Sequence, residues 1–191
     1  MALADVQAVL ARLFADPVFR ADFMADPTAV GRALGLAPND VEILAALPHA
    51  AVERFAATLK RKRCDQVRKA LPLTAGALGN GIELYLLKAI DGPHRNRRRD
   101  DTSALVDELD RLSRAGALDP RWAADIARYE ATFVRALRSR FYLSVRAFRF
   151  PVSRLAVALS RGARPDDVAP RPTVGIWLRW PGGGGVMHCV W

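Results

Sequence analysis

The sequence predicts an α+β fold, in which a helical N-terminal part is followed by a small antiparallel β-sheet flanked by helices. Apolar residues recur at helical spacing through residues 1–90, and Asp-Pro pairs mark helix starts there. From residue 141 onward, apolar and aromatic residues alternate in short runs that are typical of strands. A chain of 191 residues buries enough surface for a core that needs neither a metal nor a disulfide.

We expect three segments along the chain. Residues 1–93 form an all-helical domain, residues 94–101 a basic linker, and residues 102–191 an α+β domain with about three antiparallel strands. The linker is placed where Asp91-Gly92-Pro93 ends the last N-terminal helix and a polar, arginine-rich stretch follows.

The first helices begin at capping residues. Leu3–Leu13 carries one apolar stripe, and Asp16-Pro17 and Asp26-Pro27 each place a capping carboxylate before a proline at the first helical position. Helices are therefore predicted to start near residues 17 and 27. In the helix that starts near 17, we expect Arg20 and Asp22 to point outward. The apolar residues Val18, Phe19, Phe23 and Met24 are expected to turn inward.

Prolines and glycines divide the rest of the helical part. Pro38 begins a fourth helix, and a longer helix from Pro48 ends before Pro72 because proline cannot continue it. Gly79-Asn80-Gly81 separates the next helix from a short apolar one over Ile82–Ile90.

Two further helices open the C-terminal segment. Leu105–Leu112 marks the first by its apolar spacing. The second is predicted to begin at Asp119-Pro120, and its apolar stripe runs over Trp122–Leu137.

Three strands complete the predicted sheet. Phe141–Phe150 and Thr173–Trp180 are the first two, and a helix over Val152–Leu159 lies between them in the chain. The glycines of Gly182–Gly185 form a hairpin turn that leads into the third strand, Val186–Trp191.

The net charge of +9 comes mainly from a central segment. Residues 60–99 carry 11 basic and 3 acidic side chains, whereas residues 1–59 carry 4 basic and 7 acidic ones. Such a segment is a solvated surface, a docking surface for an acidic protein or a nucleic-acid site. Protein docking is favoured over nucleic acid, because no known nucleic-acid-binding motif accompanies the charge. The candidate docking residues are Arg95, Arg97, Arg98 and Arg99.

The residue types that carry catalysis or bind metals are sparse. His49, His94 and His188 are scattered, and His188 and Cys189 project to opposite faces of a strand, which makes them poor co-ligands. No serine-nucleophile motif or phosphate-binding loop is found in the sequence. We therefore predict a chain that is not an enzyme and binds no metal or cofactor itself.

The cellular setting is read from the cysteines and from hydropathy. Cys64 and Cys189 lie far apart in the sequence and are expected to be reduced thiols. The N-terminus lacks the pattern of a signal peptide. No apolar run reaches the length of a membrane span, which is about 18 residues. We expect a cytoplasmic protein with no membrane partner.

A small sheet has two edges, and an uncovered edge offers unpaired backbone groups to an extended peptide. The first and third strands are the candidate edges, unless a helix or charged side chains cover them. Trp177, Trp180 and Trp191 are either sheet core or exposed anchors. The candidate peptide-binding residues are Phe141, Leu143 and Val145 on the first strand and Val186, His188 and Val190 on the third.

Three runs of the sequence carry a resemblance to a known family. They are FADPVFRADFMADPTAVGRALGLAPNDVEILAAL, FAATLKRKRCDQVRKALPLTAGALG and RPTVGIWLRWPGG. Together they resemble the MbnC-like accessory proteins of methanobactin biosynthesis and their bacterial relatives. The resemblance extends from about Leu13 to Gly79 and from about Arg121 to Trp191, and it consists mostly of helix caps, core positions and turns.

The resemblance implies a function for a chain without a catalytic site. Members of the family are non-catalytic partners of a TIM-barrel, multinuclear non-heme iron enzyme (MbnB-like), which converts cysteines of a ribosomally made precursor peptide to oxazolone and thioamide groups. It implies a heterodimer with that enzyme, iron in the partner only, and binding of the precursor's leader partly by strand addition. The alternative is a nucleic-acid-binding module that uses the basic segment 60–99, and an orphan enzyme comes third.

Overall fold

The computed structural model describes residues 3–91 and 100–191, and it confirms the α+β fold. These ranges contain ten helices and three strands. The helices of the first range are α1 Leu3–Ala15, α2 Pro17–Ala25, α3 Pro27–Ala33, α4 Pro38–Ala45, α5 His49–Ala70, α6 Pro72–Leu78 and α7 Gly81–Asp91. The second range contains α8 Asp101–Arg114, α9 Ala123–Arg138, β1 Tyr142–Phe148, α10 Val152–Ser160, β2 Thr173–Arg179 and β3 Met187–Val190.

The predicted caps start the second and third helices. The Oδ1 atom of Asp16 accepts a hydrogen bond from the N–H of Phe19 at 3.1 Å, and Oδ1 of Asp26 accepts one from Ala29 at 2.9 Å. Each helix begins at the proline that follows its cap, as the sequence predicts. The second C-terminal helix starts later than expected, at Ala123, because the residues before it form a turn in which Ala123 N–H bonds to the carbonyl of Pro120.

The chain divides into two compact units, one up to Arg63 and one from Cys64 onward. The predicted division at 94–101 is therefore not where the compact units divide. Residues 94–99 of that linker lie outside the described residues. The physical reason is the core of the second unit, in which Val67, Ile82 and Leu86 from before the linker pack with Leu105 and Leu109 from after it.

The first unit has its own small core. It is built from Val9, Leu13, Phe19, Phe23, Leu36, Val41 and Leu44. Two expectations for α2 are wrong, because Arg20, expected to point outward, is 6% exposed, and Val18, expected to turn inward, is 69% exposed. Nε of Arg20 donates to Glu53 at 2.7 Å and its Nη1 to the carbonyl of Leu13 at 2.8 Å, so the buried guanidinium is paired.

Helix α9 is the centre of the second unit, where it contacts α6, α8, α10, β1 and β2. Its buried Glu130 accepts hydrogen bonds from the backbone N–H groups of Leu73 and Thr74 at 2.7 and 2.8 Å, and from the Thr74 hydroxyl at 2.6 Å. These donors lie in the first turn of α6, so a side chain of α9 caps α6.

The three strands form an antiparallel sheet in the order β1-β2-β3. Leu143, Leu178 and Met187 are opposite one another in this register, as are Ser144, Trp177 and His188. Within the described parts of the chain, β1 and β3 each pair with β2 alone, so both are edge strands, as the sequence predicts.

Across the two described ranges, none of the helices is both long and apolar enough to span a membrane.

Candidate functional site

The inner face of the sheet packs against α9. Trp177, in the middle of β2, is fully buried, and its ring contacts those of Tyr129, Phe133 and Phe148 with centroids 5.7, 5.8 and 6.0 Å apart. Its ring also stacks on His188 of β3. This aromatic cluster fixes the sheet on the helix and leaves the other face of the sheet outward.

The outer face of the sheet is entirely apolar. It is formed by Phe141, Leu143, Val145 and Ala147 of the β1 segment, Val174, Ile176, Leu178 and Trp180 of the β2 segment, and Met187, Cys189 and Trp191 of the β3 segment. We call this set the outer sheet face. Leu143, Trp180 and Met187 are 61%, 63% and 63% exposed. A contiguous apolar surface that crosses three strands is typical of a protein interaction site.

The outer edge of β1 has backbone groups that meet no partner strand among the described residues. In an antiparallel pair, residues alternate between those that exchange backbone hydrogen bonds with the partner strand and those that do not. Val174 exchanges both of its bonds with Trp191, at 3.0 and 3.1 Å, so the backbone of the next residue, Gly175, points toward β1. Along β1, the N–H and C=O groups that point away from β2 are therefore those of Leu143, Val145 and Ala147.

The same rule applies to the short strand β3. Since Val174, Ile176 and Leu178 bond toward β3, the backbone groups that point away from β2 there belong to His188 and Val190. Four of the six predicted peptide-binding residues thus have backbone N–H and C=O groups that point away from β2. They are Leu143 and Val145 on β1, and His188 and Val190 on β3.

The side chains of the six predicted residues do not converge. Phe141, Leu143 and Val145 lie on the outer sheet face at one edge, whereas Val186, His188 and Val190 lie toward the helices at the opposite edge. Two separate edges are therefore available, and β2 lies between them.

The His188 side chain is part of the aromatic packing. Its ring lies 4.8 Å from that of Phe133, and its Nε2 is 3.3 Å from the Tyr129 hydroxyl. Burial and the nearby carboxylate of Glu130 raise the pKa of Tyr129. His188 and Cys189 face opposite sides of the sheet, as predicted.

No protein-family model, curated protein or solved structure matches this chain.

Two buried carboxylates of the second unit, Glu130 and Asp125, hold backbone segments in place. Glu130 caps α6, and Asp125 of α9 accepts hydrogen bonds from the N–H groups of Arg149 and Phe150 at 2.7 and 2.9 Å, which fixes the end of β1 on the helix. No group of three or more His, Cys, Asp or Glu side chains suited to a metal ion is found among the described residues. Neither carboxylate was predicted from the sequence. Glu130 lies four residues after Ile126 on the apolar stripe of α9, and this position is the signal of a buried acid.

The predicted basic docking residues Arg95, Arg97, Arg98 and Arg99 lie outside the described residues. The other basic run, residues 60–63, lies within α5, where consecutive side chains point about 100° apart around the helix. It therefore does not form a single stripe.

A shallow groove of about 400 Å³ lies between α10 and the segment that follows it. Arg154, Asp167 and Arg171 are its charged residues, and Leu155 and Val168 line its apolar part. The mixed charges do not select a ligand, so the sheet is the stronger candidate.

Proposed function

We propose that this chain is a non-catalytic partner subunit of an iron-dependent peptide-modifying enzyme in methanobactin-type biosynthesis. In this proposal it forms a cytoplasmic heterodimer with a TIM-barrel, multinuclear non-heme iron enzyme, binds no iron itself and helps to hold the leader of the precursor peptide by strand addition. The observation that carries the proposal is a sheet with two edge strands and an apolar outer face.

Strand addition is supported by the edges. The backbone groups of Leu143, Val145 and Ala147 on β1, and of His188 and Val190 on β3, point away from β2. Main-chain hydrogen bonds to such an edge supply affinity for an extended peptide, and the pattern of its side chains supplies specificity.

The heterodimer is supported by the outer sheet face. Large apolar side chains that are about 60% exposed, such as Leu143, Val145 and Trp180, are stabilised when a partner removes them from water. Docking through Arg95 and the neighbouring arginines stays a prediction from the sequence.

The heterodimer is tested by co-expression of this chain with an MbnB-like, TIM-barrel iron enzyme. We expect one complex on size-exclusion chromatography, and two separately eluting proteins would contradict the proposal. Trp180→Glu should weaken the complex at least about tenfold, because a charge would be buried at the interface. Val18→Glu is the matched control, since Val18 is 69% exposed on α2 and lies in the first unit.

The nucleic-acid alternative makes a different prediction. A module that uses residues 60–99 would bind nucleic acid with an affinity that falls steeply as salt increases, with a log–log slope of several units for several phosphate contacts. The four consecutive basic residues of α5 are the feature that favours it. A steep slope together with no iron-enzyme complex would select this alternative.

A further inference from the structure

The two edge strands of the sheet differ in length, since β1 has seven residues and β3 has four. On β1, three residues direct both of their backbone groups away from β2, namely Leu143, Val145 and Ala147, whereas two residues of β3 do so. Since each backbone hydrogen bond adds to affinity, the β1 edge offers the larger gain to an incoming strand.

The two edges also differ in charge. β1 carries Arg146, Arg140 and Arg149 lie within two residues of its ends, and residues 140–150 contain no aspartate or glutamate. Residues 180–191, which include β3, contain no Asp, Glu, Lys or Arg. The β1 edge is therefore the cationic one, and a strand that carries carboxylates would be attracted to it.

The arginines nearest the β1 edge are available to a ligand. Arg140 and Arg146 are both exposed, and neither forms an ion pair with another described residue. Arg138 is different, because it pairs with Asp100 at 2.6 Å. Arg146 lies on the inner face of the sheet, opposite Gly175, and the side chains before and after it lie on the outer face.

An incoming strand would therefore meet two surfaces. Every second side chain would lie beside Leu143 and Val145 and extend the outer sheet face, which favours apolar residues. The side chains between them would lie on the side of Arg146, which favours carboxylates. We propose that β1 is the peptide-binding edge and selects an extended segment in which apolar residues alternate with Asp or Glu. This inference rests on the proposed strand addition and assigns it to one edge and one ligand chemistry.

Two labelled peptides test the inference. Both peptides have seven residues, the length of β1. The first alternates Val with Glu, and the second, its Lys twin, has Lys at each Glu position. Fluorescence anisotropy with the full chain should show the Glu peptide binding at least about tenfold more tightly than the Lys twin, and salt should weaken the difference. Equal binding of both, or preference for Lys, would overturn the assignment of an acidic ligand.

Proline substitutions identify the edge. The N–H of Val145 points away from β2, so Val145→Pro removes an edge donor and leaves the β1–β2 hydrogen bonds in place, and we expect a loss of about tenfold or more. His188→Pro is the matched change on β3 and should leave the affinity unchanged. Should Val145→Pro misfold, which its thermal melt would show, Arg146→Gln serves instead, with an expected loss of about threefold to tenfold.

Failure of this inference is distinguishable from failure of the proposed function. A loss of binding with His188→Pro but not with Val145→Pro would overturn the choice of edge and keep strand addition. Binding of neither peptide would overturn the inference, while complex formation with the iron enzyme is decided by its own assay.

Discussion

At the scale of single residues, buried charge is placed where backbone donors need an acceptor. Glu130 satisfies two N–H groups in the first turn of α6, and Asp125 satisfies two at the end of β1. Arg20 in the first unit shows the reverse arrangement, because its buried guanidinium donates to Glu53 and to the backbone carbonyl of Leu13. Each is stabilised by partners that are distant in sequence, and each would be costly to bury without them.

Replacing Glu130 should therefore weaken the fold. In Glu130→Gln one oxygen becomes an NH₂ group, which cannot accept a hydrogen bond, so at least one donor of Leu73 or Thr74 is left buried and unpaired. We expect the free energy of unfolding in urea to fall by about 1–3 kcal/mol. Glu108→Gln is the control, since Arg111, the partner of Glu108, is exposed to solvent, and the loss there should be smaller than in Glu130→Gln. An equal loss in both variants would contradict the capping role.

The same residue makes the stability depend on pH. Burial raises the pKa of Glu130, and the hydrogen bonds from Thr74 and Leu73 offset only part of the shift. The folded chain therefore binds the Glu130 proton more tightly than the unfolded chain, and this stabilisation is lost as the pH rises through the folded pKa. Urea unfolding across a pH series should show the advantage of the wild type over Glu130→Gln decreasing as the pH rises. An advantage that grows with pH would contradict the sign.

At the scale of elements, one glycine allows the strands to accommodate the buried tryptophan. A Cβ atom added at Gly175 would lie 2.5 Å from the ring of Trp177 and 3.1 Å from a methyl group of Val190. The Trp177 ring lies over Gly175 on the inner face, so the close packing of β2 depends on the missing side chain.

Gly175→Ala should consequently destabilise the sheet by about 1–3 kcal/mol, the range of an overpacked core. Gly76→Ala in α6 is the matched change, because nothing lies within 4 Å of the added atom. It should be neutral or stabilising by up to about 1 kcal/mol, since alanine favours a helix. Thermal melts of both variants provide the measurement, and similar shifts would argue against the close contact.

At the scale of the whole molecule, the sheet of the second unit has one face for the core and one for solvent. Trp177 is fully buried, whereas Trp180, three residues later on the opposite face, is 63% exposed. The ring centroids of Trp180 and Phe141 lie 5.6 Å apart. One residue type therefore supports the core on one side of the sheet and forms part of the exposed outer sheet face on the other.

Matched alanine variants separate these two roles. Trp177→Ala should cost about 3–5 kcal/mol of unfolding free energy, as large buried aromatics do. Trp180→Ala should cost less than about 1.5 kcal/mol, the worth of its contact with Phe141. If the proposed heterodimer forms through the outer sheet face, Trp180→Ala should nevertheless reduce complex formation with the proposed iron-enzyme partner. Equal stability losses in denaturant titrations would contradict the two-faced sheet.

The sequence determined most of the secondary structure, because caps, prolines, glycines and apolar periods act locally. The α2 and α3 starts at Pro17 and Pro27, and the three strands, were all predicted from such signals. Periodicity also predicted β1 and β3 as the edges, since a three-stranded antiparallel sheet joined in chain order leaves its first and last strands outside.

Only the tertiary structure decided which surfaces face solvent and where the compact units divide. Alternation along β2 places Trp177 and Trp180 on opposite faces, but the packing of α9 on one face is what buries Trp177. The boundary at Arg63 likewise follows from long-range contacts, because residues before and after the basic segment share one core. Burial depends on which distant elements meet, and a local sequence pattern does not contain that information.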